Sequence, residues 1–254
     1  MTYGNDDQHV IVSRETPQLS EVMTTLGTST TLISQKQAQG EHHMDMGNKE
    51  IKARYHTEDL KKTLIKVGSK LLAEEGLAQL SLRKVAKLAG VSHTAPYRHF
   101  CDKSELLVSI ALCDFETLLS DLNFAKDSHK GQPHKQLKAA GSAYIKMFLK
   151  HPEATELMFG GTLKGATAFE DIELYSRSCL GVLEEIIDNG QKMGMFDSTR
   201  AATDLAVAAW SIVHGLAMLR SGDQLTTLYS SEDEITEIGD YIAGVLLVGM
   251  AANN

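Results

Sequence analysis

The stretch that decides the fold is Ser81-Leu82-Arg83-Lys84-Val85-Ala86-Lys87-Leu88-Ala89-Gly90-Val91-Ser92-His93-Thr94-Ala95-Pro96-Tyr97-Arg98-His99-Phe100. Ser81 can cap a helix, and residues 82–89 have the length and composition of a short one. Gly90 stops it and permits a sharp turn. Ser92 can cap a second short helix, about 93–99, with its first N–H groups free for phosphate. Pro96 falls near the first turn of that helix, where a missing N–H costs least. Val85, Ala86 and Leu88 can pack the first helix on the second, and Ala86 and Ala89 are small enough for close approach. Phe100 closes the cluster and reads as core. Helix, glycine turn and second helix within 20 residues follow the helix-turn-helix plan, whose second helix enters the major groove. Two short helices of an ordinary bundle can look the same, so the surroundings matter.

Those surroundings are charged in blocks. Residues 49–103 carry 12 basic and 6 acidic side chains, net +6, although the whole chain is −8. Residues 1–48 are net −4 and residues 104–254 net −10. A cationic segment inside an acidic chain is the footprint of a phosphate-binding module, with a solvated basic helix face as the plain alternative.

Helical periodicity continues on both sides. Residues 58–75 show Leu60, Leu64, Val67 and Leu71 as one stripe, with Thr57 as N-cap and Gly76 as stop. Asp102 and Glu105 form a capping box for a long helix that follows. Helices are expected near 135–150, 153–159, 169–190, 199–220 and 232–250. The last three carry the stripes Ile172-Tyr175-Cys179-Val182-Ile186, Leu205-Ala209-Ile212-Leu216-Leu219 and Ile235-Ile238-Ile242-Val245-Gly249. No segment alternates at period 2 for long. The expected fold is all-α, about nine helices. It divides into a disordered extension, 1–55, a three-helix DNA-binding domain, 56–103, and a larger helical domain, 104–254. Met44 and Met46 make a start upstream of the working protein a live reading. His42-His43-Met44-Asp45-Met46 reads as polar tail rather than metal site.

The chain of 254 residues is long enough to bury a core without staples. Cys101, Cys113 and Cys179 form no paired framework and no C-x-x-C, and Cys101 reads as a quiet buried thiol. No stretch is expected to cross a bilayer, and the N-terminus has no signal-peptide pattern, which predicts a cytoplasmic protein. Gly160-Gly161-Thr162-Leu163-Lys164-Gly165 lacks the ending of a P-loop. There is no G-x-S-x-G, H-E-x-x-H or dinucleotide fingerprint. No enzyme, catalytic residue, cofactor or metal is expected.

The stretch also closely resembles the tetracycline-repressor (TetR) family of bacterial regulators. The resemblance rests on Leu82-Arg83-Lys84-Val85-Ala86, Ala89-Gly90-Val91-Ser92, Tyr97-Arg98-His99-Phe100 and Asp102-Lys103-Ser104-Glu105-Leu106-Leu107, in order, across about 57–117. His93 after Ser92, with Ala95-Pro96 before Tyr97, is similar to one branch of the family. That branch often carries a C-terminal domain marked by Trp, His and Gly. Trp210-Ser211-Ile212-Val213-His214-Gly215 falls in the matching place, as does His151-Pro152-Glu153 followed by Leu157-Met158-Phe159-Gly160. Pro96 replaces the commoner leucine, and the long N-terminal extension is atypical.

The resemblance implies a homodimer on a palindromic double-stranded operator, associated with the nucleoid when bound. It pairs helices 199–220 and 232–250 with their twofold mates, and Gly239, Ala243 and Gly244 would allow close approach. By position in the motif, His93, Thr94 and Ala95 should face base edges. Tyr97, His99 and Arg83 should reach phosphates or bases, Lys103 a phosphate, and Ser81 a cap or a phosphate. The family also implies a small-molecule effector. Met147, Phe148, Met158, Phe159 and Trp210 are candidate lining for its pocket and serve equally as core. Trp210 and His214 share a helix face and either border the pocket or pack the domain. An effector-independent DNA-binding or partner-recruiting protein on the same fold is the alternative.

Overall fold

The structure, a computed structural model, describes residues 44–163, 165 and 169–252, with side chains from Glu58 onward except at 169 and 232. The expectations for residues 1–43, including His42 and His43, lie outside the described residues. Eight α-helices occur among the described residues: α1 Met44–Glu75, α2 Leu82–Leu88, α3 Lys103–Ser128, α4 Pro133–Lys150, α5 Pro152–Phe159, α6 Phe169–Lys192, α7 Ala202–Ser221 and α8 Glu232–Gly249. Two single 3₁₀ turns, Leu77–Gln79 and Pro96–Arg98, flank α2. No strand occurs among them, so the all-α expectation holds. All but the start of α1 belongs to one compact unit, Lys52–Asn254.

The expected ninth helix is the Pro96–Arg98 turn. Pro96 has no N–H to complete an α-helical bond to Ser92, and the chain uses 3₁₀ bonds instead. Ala95 donates to Ser92 carbonyl at 3.0 Å, and Arg98 to Ala95 carbonyl at 3.2 Å. Helix α1 starts well before the expected Glu58, so Thr57 lies inside the helix rather than capping it. Residues 48–57 contain neither proline nor glycine, and helix can continue through them without an apolar stripe.

The portion formed by α1, α2 and the start of α3 packs on Leu64, Leu71, Leu80, Val85 and Phe100, each at most 2 % exposed. Leu88, expected to help pack α2, is 57 % exposed. Gly90 has φ +71°, which is the turn the sequence required of it. Helix α3 then runs into the larger domain. Near its start it meets α1 so closely that a Cβ on Gly68 would lie 3.2 Å from Ile110 Cδ1.

In the larger domain α4 is central, packing on α3, α5, α6, α7 and α8. The α6 stripe is placed as expected, with Ile172, Cys179, Val182 and Ile186 buried. The α7 stripe is corrected, and the α8 stripe holds at Ile235, Ile238 and Ile242 but not at Val245 and Gly249, which are exposed. On α7 the buried face is Ala206, Ala209, Val213, Leu216 and Ala217, while Ile212 and Leu219 are exposed. Both flanks of α7 are apolar, so a single stripe could not be phased. For the same reason α7 is long and apolar enough to cross a membrane, against the expectation for this chain. Here its buried residues belong to the core of the bundle. On α8, Gly239 and Ala243 face inward: a Cβ on Gly239 would lie 2.6 Å from Ile145 Cδ1, and Ala243 is buried. Only Gly244 of the three small residues is exposed.

Candidate nucleic-acid interface and ligand cavity

Helix α2 begins where the sequence placed its cap. Ser81 Oγ accepts from Lys84 N–H at 3.3 Å. Arg83 is exposed, and Lys84 is turned away by an ion pair with Glu75. After the Gly90 turn, Ser92 hydroxyl lies 3.1 Å from Thr94 hydroxyl. The expected serine cap on the second helix is thus replaced by a hydroxyl pair, because no α-helix follows. His93, Thr94 and Tyr97 are exposed, and Ala95 and His99 are half-buried. Pro96 and Phe100 anchor the segment from below. Burial, then the charges of Lys61 and Arg98, lower the His99 pKa. His99 therefore presents a neutral ring near pH 7.

Lys103 is engaged within the chain. Its Nζ donates to Leu77 carbonyl at 2.5 Å and ties the start of α3 to the turn before α2. An ammonium has two further donors, but this one is held within the chain. Arg98 and Lys87 were missed by sequence reasoning. Both are exposed, and neither has an acidic partner within 4.0 Å among the described residues. The signal was present, since both cations lie inside the motif itself. Cys101 is exposed rather than buried, and the hydrogen-bonded Glu105 carboxylate raises its thiol pKa. The box at the start of α3 is slightly stretched. Asp102 Oδ1 accepts from Glu105 N–H at 2.9 Å, while Glu105 reaches back to Cys101 N–H.

The second site is a cavity in the middle of the larger domain. Its enclosed space is about 40 Å³, and about 700 Å³ is reached only when the crevices between the walls and the open mouth are counted. Every helix from α3 to α8 contributes: Phe115 and Leu118, Tyr144, Phe159, Leu183, Trp210 and Leu246 among others. Of the six candidate residues, Phe159 and Trp210 line it. Phe148 and Met158 are buried core away from the cavity, and Met147 borders a separate surface cleft. Long apolar side chains look alike in sequence whichever way they face. His214 stands behind the wall and completes a small network. Trp210 Nε1 donates to Tyr144 Oη at 3.2 Å, and Tyr144 Oη lies 2.7 Å from His214 Nδ1. An indole can only donate, so the Tyr144 proton is free to go to a neutral His214. Burial lowers the His214 pKa and favours that neutral ring. Phe159 packs edge-on against His214 at 5.0 Å. Tyr144 was the residue that sequence reasoning missed here.

Residues 64–110 match the model of bacterial regulatory proteins of the tetR family, and residues 137–239 that of a tetracyclin repressor-like C-terminal domain. The chain belongs to the TetR family. An HTH-type transcriptional regulator of Staphylococcus aureus is 33% identical over 63 residues, 25% of this chain and 34% of that relative. The chain thus spans about a third of the length of the curated relatives it matches. A protein of unknown function from Rhodococcus sp. RHA1 superposes with TM-score 0.66 and 27% identity, over 76% of this chain and 95% of that one. A TetR-family transcriptional regulator of Pectobacterium atrosepticum superposes with TM-score 0.60 and 21% identity, over 79% and 98%. In this TetR-family chain the segment after the Gly90 turn is wound as a 3₁₀ turn, Pro96–Arg98.

Proposed function

We propose that this TetR-family chain is a DNA-binding transcriptional repressor, working in the cytoplasm as a homodimer on a palindromic operator and released by a small-molecule effector. The observation that carries the reading is the exposed segment His93–Thr94–Tyr97–Arg98, held on a buried Pro96–Phe100 base. With Lys87 and Arg83 it offers cations to phosphates and short polar side chains to base edges. We also assign the chain to the branch with a Trp-His-Gly C-terminal domain, on Trp210, His214 and Gly215.

The dimer is supported by apolar side chains that nothing in one chain covers. Val207, Met218 and Leu219 on α7 and Tyr241, Val245 and Val248 on α8 are 41–79 % exposed. A second copy laid on this face buries them, and a twofold dimer suits a palindrome. Effector release is supported by the continuity of α3. Its start touches the DNA-binding core at Leu106 and Ile110, and its later turns line the cavity at Phe115, Leu118 and Leu122. A ligand that shifts this helix alters the spacing of the two recognition segments, about 34–36 Å for adjacent half-sites.

The test selects binding sites from random duplex DNA with the full chain. Enrichment of a palindrome, bound by a dimer in sedimentation, is the expected result. Recovery of non-symmetric DNA by a monomer would overturn the dimeric part of the reading. No enrichment at all would overturn it entirely.

A further inference from the structure

The cavity's polar inventory restricts what it can hold. Lys138 is the charged side chain among its lining residues, and its Nζ is 3.1 Å from Asp240 Oδ2. That charge is already matched. No carboxylate is among the lining residues. Burial pushes the Cys179 thiol up to about 12, so it remains protonated and is no nucleophile at neutral pH. Tyr144 Oη is engaged by Trp210 and His214 and keeps one lone pair. The Ser176 hydroxyl, on α6, has no hydrogen-bond partner among the described residues. The remaining surface is aliphatic and aromatic. A charged ligand would lose its hydration here and find no free counter-charge. An apolar ligand loses nothing by entering and can hydrogen-bond to one free hydroxyl.

We infer that the cavity takes an uncharged, predominantly apolar ring compound bearing a hydroxyl or carbonyl group, and that Ser176 is the residue that binds this polar group. The inference rests on the effector reading above, since it names the ligand class of that same site. Phe115, Phe159 and Trp210 supply aromatic faces for the ring, and Leu118, Leu183 and Leu246 its aliphatic bed.

Three probes with one ring separate the possibilities: 2-naphthol, 2-naphthoate and 2-naphthylmethylammonium, each titrated calorimetrically into the full chain. The expected result is 2-naphthol binding at least about tenfold more tightly than either ion. Ser176→Ala should weaken 2-naphthol by about 3- to 10-fold, the worth of one neutral hydrogen bond, and leave naphthalene unchanged. Ala209→Phe, which fills the cavity, should abolish binding of both while the melting curve stays cooperative. Equal or tighter binding of an ion overturns the ligand class. Undiminished 2-naphthol binding to Ser176→Ala overturns the role of Ser176 without depending on the larger substitution. Undiminished binding to Ala209→Phe overturns the site. A separate arm adds 2-naphthol to the chain–operator complex. If it binds as expected and the complex persists at saturation, the ligand class stands and the effector reading falls.

Discussion

The two halves of α3 lie in opposite kinds of interior. Around Leu106 and Ile110 the neighbouring helix approaches so closely that its Gly68 has no room for a methyl group without displacement. Two turns further on, Phe115, Leu118 and Leu122 are buried just as fully yet face a cavity. Low exposure therefore describes two different environments. A close-packed interior holds the segment around Pro96 at one geometry, and an interior with space can adjust to a guest. The same rigid helix joins them, so adjustment at one end becomes displacement at the other.

The most direct way to break this comparison uses one residue type on one helix. Leu106 and Leu118 are 0 % and 1 % exposed. Leu106→Ala should cost toward the upper end of the ~2–5 kcal/mol range for buried leucines, and Leu118→Ala toward its lower end. The reason is that Leu118 already lacks partners on its cavity side. Urea unfolding of both variants measures it. Equal costs would mean that the walls close on each other in solution.

The reading segment should show its effects in DNA binding instead. Arg98→Ala should weaken binding to all sequences by about tenfold and reduce the salt slope by about 1. Lys103→Ala should change that slope less, because its ammonium is tied to Leu77 carbonyl. Substituting His93 or Thr94 should alter base preference, by ~1–3 kcal/mol per discriminated base pair. Binding isotherms at several salt concentrations separate these outcomes. If Lys103 exceeds Arg98 in the salt slope, the cation that meets the backbone has been misidentified.

These two regions also differed in how far the sequence revealed them. Caps and turns act locally: Ser81, Gly76, Gly90 and Asp102 each stand where the chain turns or a helix begins, and their chemistry depends on neighbours within four residues. The candidate base-facing residues His93 and Thr94 lie in the same local frame, and both are exposed. Pro96 was read correctly as residue but not as consequence, since its lost N–H converts the whole short helix to a 3₁₀ turn. The cavity is a property of six helices at once. Met158 and Phe159 are adjacent in sequence, and only Phe159 reaches it. The face of α7 was equally hidden, because apolar residues surround that helix and no polar stripe marks the outside. Tyr144 gave no local sign of its partners, which are 66 and 70 residues away.

A smaller stability effect belongs to the Ser81 cap, at the closely packed end. Ser81→Ala leaves the N–H of Lys84 without its partner and should cost about 1 kcal/mol. It is measured by the shift in urea midpoint, with the dependence on denaturant unchanged. A loss beyond about 2 kcal/mol would mean that Ser81 supports more than its own helix.

The smallest expected effect is a pH dependence that reports on the cavity side. Burial lowers the pKa of His214, so the folded chain releases this proton more readily than the unfolded chain does. Above the ordinary value of 6.5 both states are neutral and the Tyr144–His214 contact contributes fully. As pH falls below that value the unfolded chain takes the proton first, and the contribution is lost progressively down to the folded pKa. Asp114, raised to about 6 by burial, runs the other way: its protonation favours the folded chain as pH falls toward its ordinary value of 3.8. Wild type alone would therefore show a blend. The difference between wild type and His214→Asn isolates the imidazole, because Asp114 is common to both. That difference in urea midpoint should stay constant well above pH 6.5 and shrink progressively as pH falls below it. A difference that stays constant through that fall would mean that the wall beside Trp210 admits water freely enough to hold the ring at its ordinary pKa. The space behind α3 would then be solvent rather than a closed site, and the contrast between the two halves of that helix would lose its second term.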